Sequence, residues 1–429
     1  MKKAFMTAIA LLLTVAASAQ HAKYVGGDIS LLPLYEEHSS GFLDGNGQKI
    51  DNLITWLKNE CGWNSFRVRL FVKPNGMSND GKSVDPAVCQ DLDYVKSLGK
   101  RIKDAGGQFL LDFHYSDTWM DATHIQAPSE CSGMTASQKA DWLYSYTKQS
   151  LQELVAAGAT PDLVQIGNEI MYGFMGIAVA PYDKSGIDWT GYLACLRQGC
   201  KATREVCPQA KIIIHTDRPC NAAYNKYYYS KLADIDYDII GLSYYPFWHG
   251  TLSSLATAIT TLKSDFPDKP VQIVETGYYF QWWPSSGVSY DTRSTWAASE
   301  TGQYNFVKDL VAELSKHDNC EGLFYWCPED AGTGDDYDTY QKNTIQSGWT
   351  NRGLWWPSST QTGHWPVSCS AGMAHYLLRD MLDPTISGIS TASADSRQSA
   401  SDKLYNLLGQ PVNSAYKGIV IENGRKHIK

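Results

Sequence analysis

Beyond its first twenty residues the 429-residue chain has no apolar run long enough to cross a bilayer, so no internal membrane span is predicted. It has no CxxC pair and no histidine spacing of the zinc type, so its ten cysteines do not read as a metal framework. Basic residues are not in excess: 37 Lys and Arg stand against 45 Asp and Glu. An acidic chain is a poor partner for nucleic acid or anionic lipid and suits a neutral ligand. After the first apolar run comes GGDIS, not a GxGxxG turn, so the usual phosphate-binding signal of an open doubly wound sheet is missing.

The chain opens with MKKAFMTAIALLLTVAASAQ, which places Lys2 and Lys3 before an apolar stretch and ends it with Ala17-Ser18-Ala19. Residues 1–19 are expected to be a secretory signal and the protein to be exported, with periplasm, cell surface and medium all open. Losing Lys2 and Lys3 with that segment takes the net charge from −8 to −10. In an exported chain an even cysteine count permits disulfides. Cys195, Cys200, Cys207 and Cys220 are dense enough to staple one helix-to-strand connection, with buried free thiols as the alternative.

Eight apolar, β-branched runs recur: near Tyr24–Ile29, Phe66–Val72, Phe109–Tyr115, Leu163–Ile170, Lys211–Thr216, Tyr237–Tyr245, Val271–Thr276 and Gly322–Trp326. Between most of them lie segments with apolar residues at i, i+3, i+4 and i+7, such as DLDYVKSLGKRIKDAG and GQYNFVKDLVAELSKH. A last helix is expected over Ala371–Leu382. This alternation predicts an α/β fold, a closed (β/α)₈ or TIM barrel over residues 20–385. A polar linker follows at 386–400. A short β-rich tail at 401–429 has turn signals at Leu408-Gly409, Lys417-Gly418 and Asn423-Gly424. The loops after strands 3, 7 and 8 are long and rich in Trp and Tyr. Their aromatics read as stacking platforms for a flat ligand, with packing under long loops as the alternative.

In such a barrel the C-terminal ends of the strands converge on one pocket. Those ends carry Asp28, then Arg67 and Arg69, then Asp112, His114, Asp117 and Trp119. Next come Asn168 and Glu169, His215 and Asp217, Tyr244 and Tyr245, Glu275, and Trp326. Glutamates at the ends of strands 4 and 7 are expected to face each other across the mouth. Paired carboxylates suit glycosidic hydrolysis, one protonated to donate to the leaving oxygen and one ionised to attack the anomeric carbon. An arginine can keep the second ionised, and Asn168 can reach a sugar 2-hydroxyl. Each residue alone has a plainer reading: Glu169 at a helix N-terminus, the arginines as a structural ion pair, His215 as a satisfied supporting group. Their joint placement at every strand end favours a site.

The motifs GGDISLL, FRVRLFVKP, LDFHYSDTWMDATH, VQIGNEIMYG, DIIGLSYYPFW, IVETGYYF and GLFYW span residues 24 to 326. Together they resemble glycoside hydrolase family 53, the endo-β-1,4-galactanases of clan A. The resemblance implies a retaining enzyme acting on β-1,4-galactan, with Glu169 as acid/base and Glu275 as nucleophile. It implies that Asn168, His114, Asp117, Trp119, Tyr244, Tyr245 and Trp326 bind sugar, with Arg69 or Arg67 beside the nucleophile. The chain departs from the family at Trp326-Cys327-Pro328-Glu329, where members tend to have Glu-Pro directly after the tryptophan. Bacterial members often carry a calcium site after strand 7 built from closely spaced Asp, His and Asn, and YYFQWWPSSGVSYD lacks that run. The loop GTGDDYDTYQKN has oxygen ligands for calcium and equally the composition of a solvated loop. No metal or cofactor is predicted. A monomer acting on a polysaccharide is expected. The alternatives are another retaining β-glycanase of the clan, a mannanase or glucanase, and a non-catalytic glycan-binding protein.

Overall fold

The computed structural model describes residues 24–38, 41–179, 187–284, 286–330, 351–357, 369–371, 373–382, 404–406, 411–412, 419–422 and 425–428. The expected signal segment and linker lie outside these residues, as does the acidic loop.

Eight parallel strands close into a barrel in sequential order. They are β1 Tyr24–Asp28, β2 Ser65–Leu70, β3 Gln108–Phe113, β4 Leu163–Ile166, β5 Lys211–Thr216, β6 Ile239–Tyr244, β7 Val271–Thr276 and β8 Cys320–Trp326. β8 closes the ring by pairing with β1, from Tyr24 opposite Gly322 to Asp28 opposite Trp326. The principal helices are α1 Leu32–His38, α2 Leu53–Cys61, α3 Leu92–Asp104, α4 Ala136–Ala156, α5 Trp189–Val206, α6 Ala222–Ser230, α7 Pro246–His249, α8 Leu252–Asp265 and α9 Glu300–Leu314.

Local sequence sets the helix starts. Asn52, Asp91, Asp188, Asn221, Thr251 and Ser299 each cap a helix by accepting a backbone N–H. Thr135 and Gln138 form a full capping box for α4. The periodicity then buries one face, as with Val95, Leu98 and Ile102 of α3.

Strand residues alternate between two environments. On β2, Phe66, Val68 and Leu70 join the core between sheet and helices. Arg67 and Arg69 therefore point into the barrel. An inner apolar layer of Leu110, Leu163, Ile213, Ile239, Val274 and Phe324 fills the barrel interior. Polar groups are thereby left to the mouth.

Two expectations change. The helix anticipated over Ala371–Leu382 is instead two 3-10 turns, Met373–Tyr376 and Leu378–Met381, with i to i−3 bonds such as Leu377 N to the Ala374 carbonyl. The His375 carbonyl, which an α-helix would use internally, accepts instead from Trp63 Nε1 at 2.9 Å. The disulfide staple is also absent: Cys195, Cys200, Cys207 and Cys220 carry free thiols, the first three buried. In the tail, Leu404–Asn406, Pro411–Val412, Ile419–Glu422 and Arg425–Ile428 pair into an antiparallel sheet.

Candidate active site

β4 ends at Ile166, four residues before its anticipated end. Gly167 takes a left-handed φ of +80°, and a Cβ there would sit 2.4 Å from Ile170 Cγ2. Glu169 is itself left-handed, with φ 48° and ψ 47°. Tyr115 and Cys327 adopt the same region just after β3 and β8. Non-glycine residues held there cost energy and concentrate at functional sites. On the facing side a bulge between β6 and β7 shifts the register, so Leu242 pairs with Ile273 but Ser243 with Glu275. Val274 then stays in the inner apolar layer while Glu275 reaches the mouth.

The mouth is a cleft of about 520 Å³ lined by Arg67, Arg69, His114, Trp119, Asn168, Glu169, Asp217, Tyr245, Trp248, Glu275, Trp326 and Arg352, among others.

The two glutamates have opposite surroundings. Glu275 Oε1 lies 2.9 Å from Arg67 Nη2, and Tyr245 donates its hydroxyl to Oε2 at 3.2 Å. Burial raises its pKa and Arg67 pulls it back, leaving a modest upward shift. No ion pair reaches Glu169 among the described residues. Burial, then Asp217 and Glu275, push it well above the ordinary glutamate range, opposed by the hydrogen bond from Ser243 Oγ to Oε1 at 2.6 Å; Ala122 N also donates to Oε2, at 3.4 Å. Of the pair, Glu169 holds its proton to higher pH.

The two terminal nitrogens of buried Arg67 meet acceptors. Its Nη1 bonds Asp28 at 2.7 Å, and its Nη2 bonds Asp112 at 2.7 Å and Asn168 Oδ1 at 2.8 Å. Asn168 in turn donates to the Met120 carbonyl at 2.8 Å. Below Glu169 runs a polar chain. Gln165 Nε2 and the Glu169 N–H approach His215 Nδ1 at 3.1 and 3.3 Å, which makes Nδ1 the acceptor. Nε2 then carries the hydrogen toward Ser243 Oγ at 2.8 Å. Burial and Arg67 push the His215 pKa well down, so the ring is neutral.

This arrangement can hold one carboxyl protonated and one ionised across a single cleft. The chain matches the family model for glycosyl hydrolase family 53 over residues 24–361.

It belongs to that family. The fold and the glutamate pair thus sit in a glycoside hydrolase. Among its relatives, an endo-beta-1,4-galactanase from Bacillus subtilis is 30% identical over 342 residues, covering 78% of this chain and 76% of its own. A probable arabinogalactan endo-beta-1,4-galactanase A from Neosartorya fischeri is 33% identical over 328 residues, covering 73% and 85%. The solved GH53 catalytic domain from Ignisphaera aggregans superposes with a TM-score of 0.68 at 26% identity, over 84% of this chain and 96% of that one.

The remaining anticipated residues divide. His114 lines the cleft, its Nε2 3.2 Å from Asp112 and its Nδ1 accepting from Met120 N at 3.1 Å. Trp119 lies under the Arg69 guanidinium at 4.6 Å, and its ring centroid is 6.5 Å from that of Trp326. Arg69 does not touch Glu275. It reaches Asp28 at 3.2 Å and Cys327 Sγ at 3.6 Å, so Arg67 is the arginine at Glu275.

Two anticipated residues are not brought to the cleft. Asp117 is a loop tie, accepting from Lys73 N at 3.2 Å and Ser129 N at 2.8 Å. Tyr244 points outward between Ser243 and Tyr245, because strand residues alternate. Its hydroxyl bonds the Gly250 carbonyl at 2.9 Å. Most of the loop-7 aromatics also pack: Tyr279 lies 4.6 Å from Phe247 and 5.2 Å from Trp283, centroid to centroid. After Trp326, Glu329 turns away to accept from Leu31 N at 2.9 Å, which fixes the departed Cys-Pro-Glu segment against the loop after β1.

Ser243, Gln165 and Arg352 were not anticipated. A lone serine carries no signal in GLSYY beyond its inward parity. Arg352 gave none, yet its guanidinium sits 5.1 Å from the Trp326 ring and 5.4 Å from Tyr245.

Proposed function

We propose that this protein is a retaining endo-β-1,4-galactanase that hydrolyses the β-1,4-galactan of pectic arabinogalactan by double displacement. The observation that carries the mechanism is the asymmetry of the carboxylates. Glu275 faces Arg67 at 2.9 Å, while half-buried Glu169 meets no cation among the described residues and accepts only from the Ser243 hydroxyl and, at 3.4 Å, from Ala122 N. On this reading Glu275 attacks the anomeric carbon. Glu169 first protonates the leaving oxygen and then takes a proton from the incoming water. Asn168 faces the 2-hydroxyl, anchored by Arg67 and the Met120 carbonyl. Trp326, Trp119 and Tyr245 offer ring faces and a hydroxyl to the sugars bound around the scissile bond, with His114 and Arg69 beside them in the cleft lining.

The choice of galactan rests on the curated relatives, whose names specify endo-beta-1,4-galactanase. We further propose that the protein acts as a monomer outside the cytoplasm; the leader-like first residues support the export. A reducing-sugar assay on galactan, mannan and β-glucan tests substrate and activity together. Galactan is cleaved fastest, and proton NMR of early products shows retained β-configuration. Preference for mannan or glucan would move the chain to another clan activity. No hydrolysis of any would make it a binding protein.

A further inference from the structure

A ladder of aromatic rings leaves the cleft at its Glu169 edge. Asp217 lines the cleft, and its neighbour Arg218 holds its guanidinium 5.0 Å from the Tyr172 ring and donates from Nε to the Tyr172 hydroxyl at 2.6 Å. Tyr172 closes the short turn that follows Glu169. From its ring centroid it is 5.9 Å to Tyr224, from there 6.2 Å to Tyr227, and from there 6.2 Å to Trp189. Tyr224 and Tyr227 stand three apart on α6 and so share a face. Lys231 places its ammonium 5.3 Å from the Tyr227 ring and 5.9 Å from Trp189. Tyr227 is 48% exposed, and the other three rings are half-buried.

Aromatic rings are normally drawn into the core, and a connected group of them at the surface marks a binding area. Each ring contacts the next, tilted by 54°, 52° and 79° in turn, with cations at both ends. A neutral β-linked glycan matches that chemistry. Its C–H faces stack on aromatic rings, and its hydroxyls accept from guanidinium and ammonium groups. The series also begins next to the cleft: Arg218 follows the lining residue Asp217, and Tyr172 lies three residues after the lining residue Glu169.

We propose that Tyr172, Tyr224, Tyr227 and Trp189, with Arg218 and Lys231, form a second polysaccharide-binding surface that carries the substrate chain beyond the cleft. The identity of the glycan rests on the galactanase reading; the position rests on continuity with the cleft. The surface raises affinity for long chains and leaves cleavage of short ones unchanged.

The test uses the full chain with Tyr227→Ala and with Tyr224→Ala/Tyr227→Ala. Affinity gels containing galactan, mannan or β-glucan, run in a Glu275→Gln background to prevent digestion, report polymer binding. Hydrolysis of galactan and of a short galacto-oligosaccharide, in the active background, reports catalysis. The double variant is expected to lose about tenfold in galactan affinity, the scale of one to two stacking contacts. Its kcat/KM on the oligosaccharide stays near wild type while that on polymer falls. Unchanged gel retention overturns the proposal. So do equal losses on polymer and oligosaccharide, which would make the rings supports of the cleft. A wild type that leaves galactan intact defeats the galactanase reading alone. The gels then still decide the surface: a wild type retained by one of the three glycans, with its variant released, supports it, and equal mobility on all three overturns it.

Discussion

Nη2 of Arg67 lies 2.9 Å from Oε1 of Glu275, and the same nitrogen bonds Asn168 Oδ1 at 2.8 Å. One guanidinium thereby ties the carboxylate on β7 to the amide at the end of β4. Asp28 and Asp112 hold that guanidinium in place from β1 and β3. Charge at Glu275 and orientation at Asn168 therefore depend on one side chain.

Arg67→Lys keeps the charge and loses the fork. Glu275 then binds its proton more readily, so the acidic limb of the kcat/KM profile moves to higher pH, and kcat falls. Breaking this buried network also costs about 3–5 kcal/mol of stability. Urea unfolding checks the second effect and a pH–rate profile the first. An unmoved acidic limb would separate Arg67 from the ionisation of Glu275.

Asp217, pushed up to about 7 by burial, raises the proton affinity of Glu169 once it ionises. Asp217→Asn removes that negative charge. The Glu169 pKa falls, so the alkaline limb, where the protonated acid is lost, moves to lower pH. The profile is measured with a soluble oligosaccharide. A shift toward higher pH would contradict the assignment of Glu169 as the acid.

Gly167→Ala forces a Cβ into a left-handed position with Ile170 Cγ2 at 2.4 Å. The expected loss is about 1–3 kcal/mol in urea unfolding. Activity falls further than stability explains, because Asn168 and Glu169 follow directly. A neutral substitution would mean that this turn does not fix the pair.

The barrel and its mouth were legible because apolar runs that must be buried end in polar residues that need not be. Arg67 and Arg69 declared themselves by sitting two apart inside an apolar strand. Tyr244 illustrates a signal available but overridden by proximity to Tyr245: parity alone turns it outward. Asp117 lies in a loop without periodicity, so no rule placed its side chain. Ser243 is joined to Glu169 across 74 residues only when the barrel closes. The pattern over Ala371–Leu382 is helical by itself, and it loses to the Trp63 hydrogen bond taken by the His375 carbonyl.

The central claim is that Glu275 attacks carbon while Glu169 moves protons. A 2-deoxy-2-fluoro glycoside of β-1,4-galactobiose with a good leaving group slows both steps by destabilising the positively charged transition state, so a covalent intermediate accumulates. Peptide mass spectrometry of the trapped enzyme is expected to find the disaccharide on Glu275. Label on Glu169, or full turnover with inverted product and no label, would contradict the account.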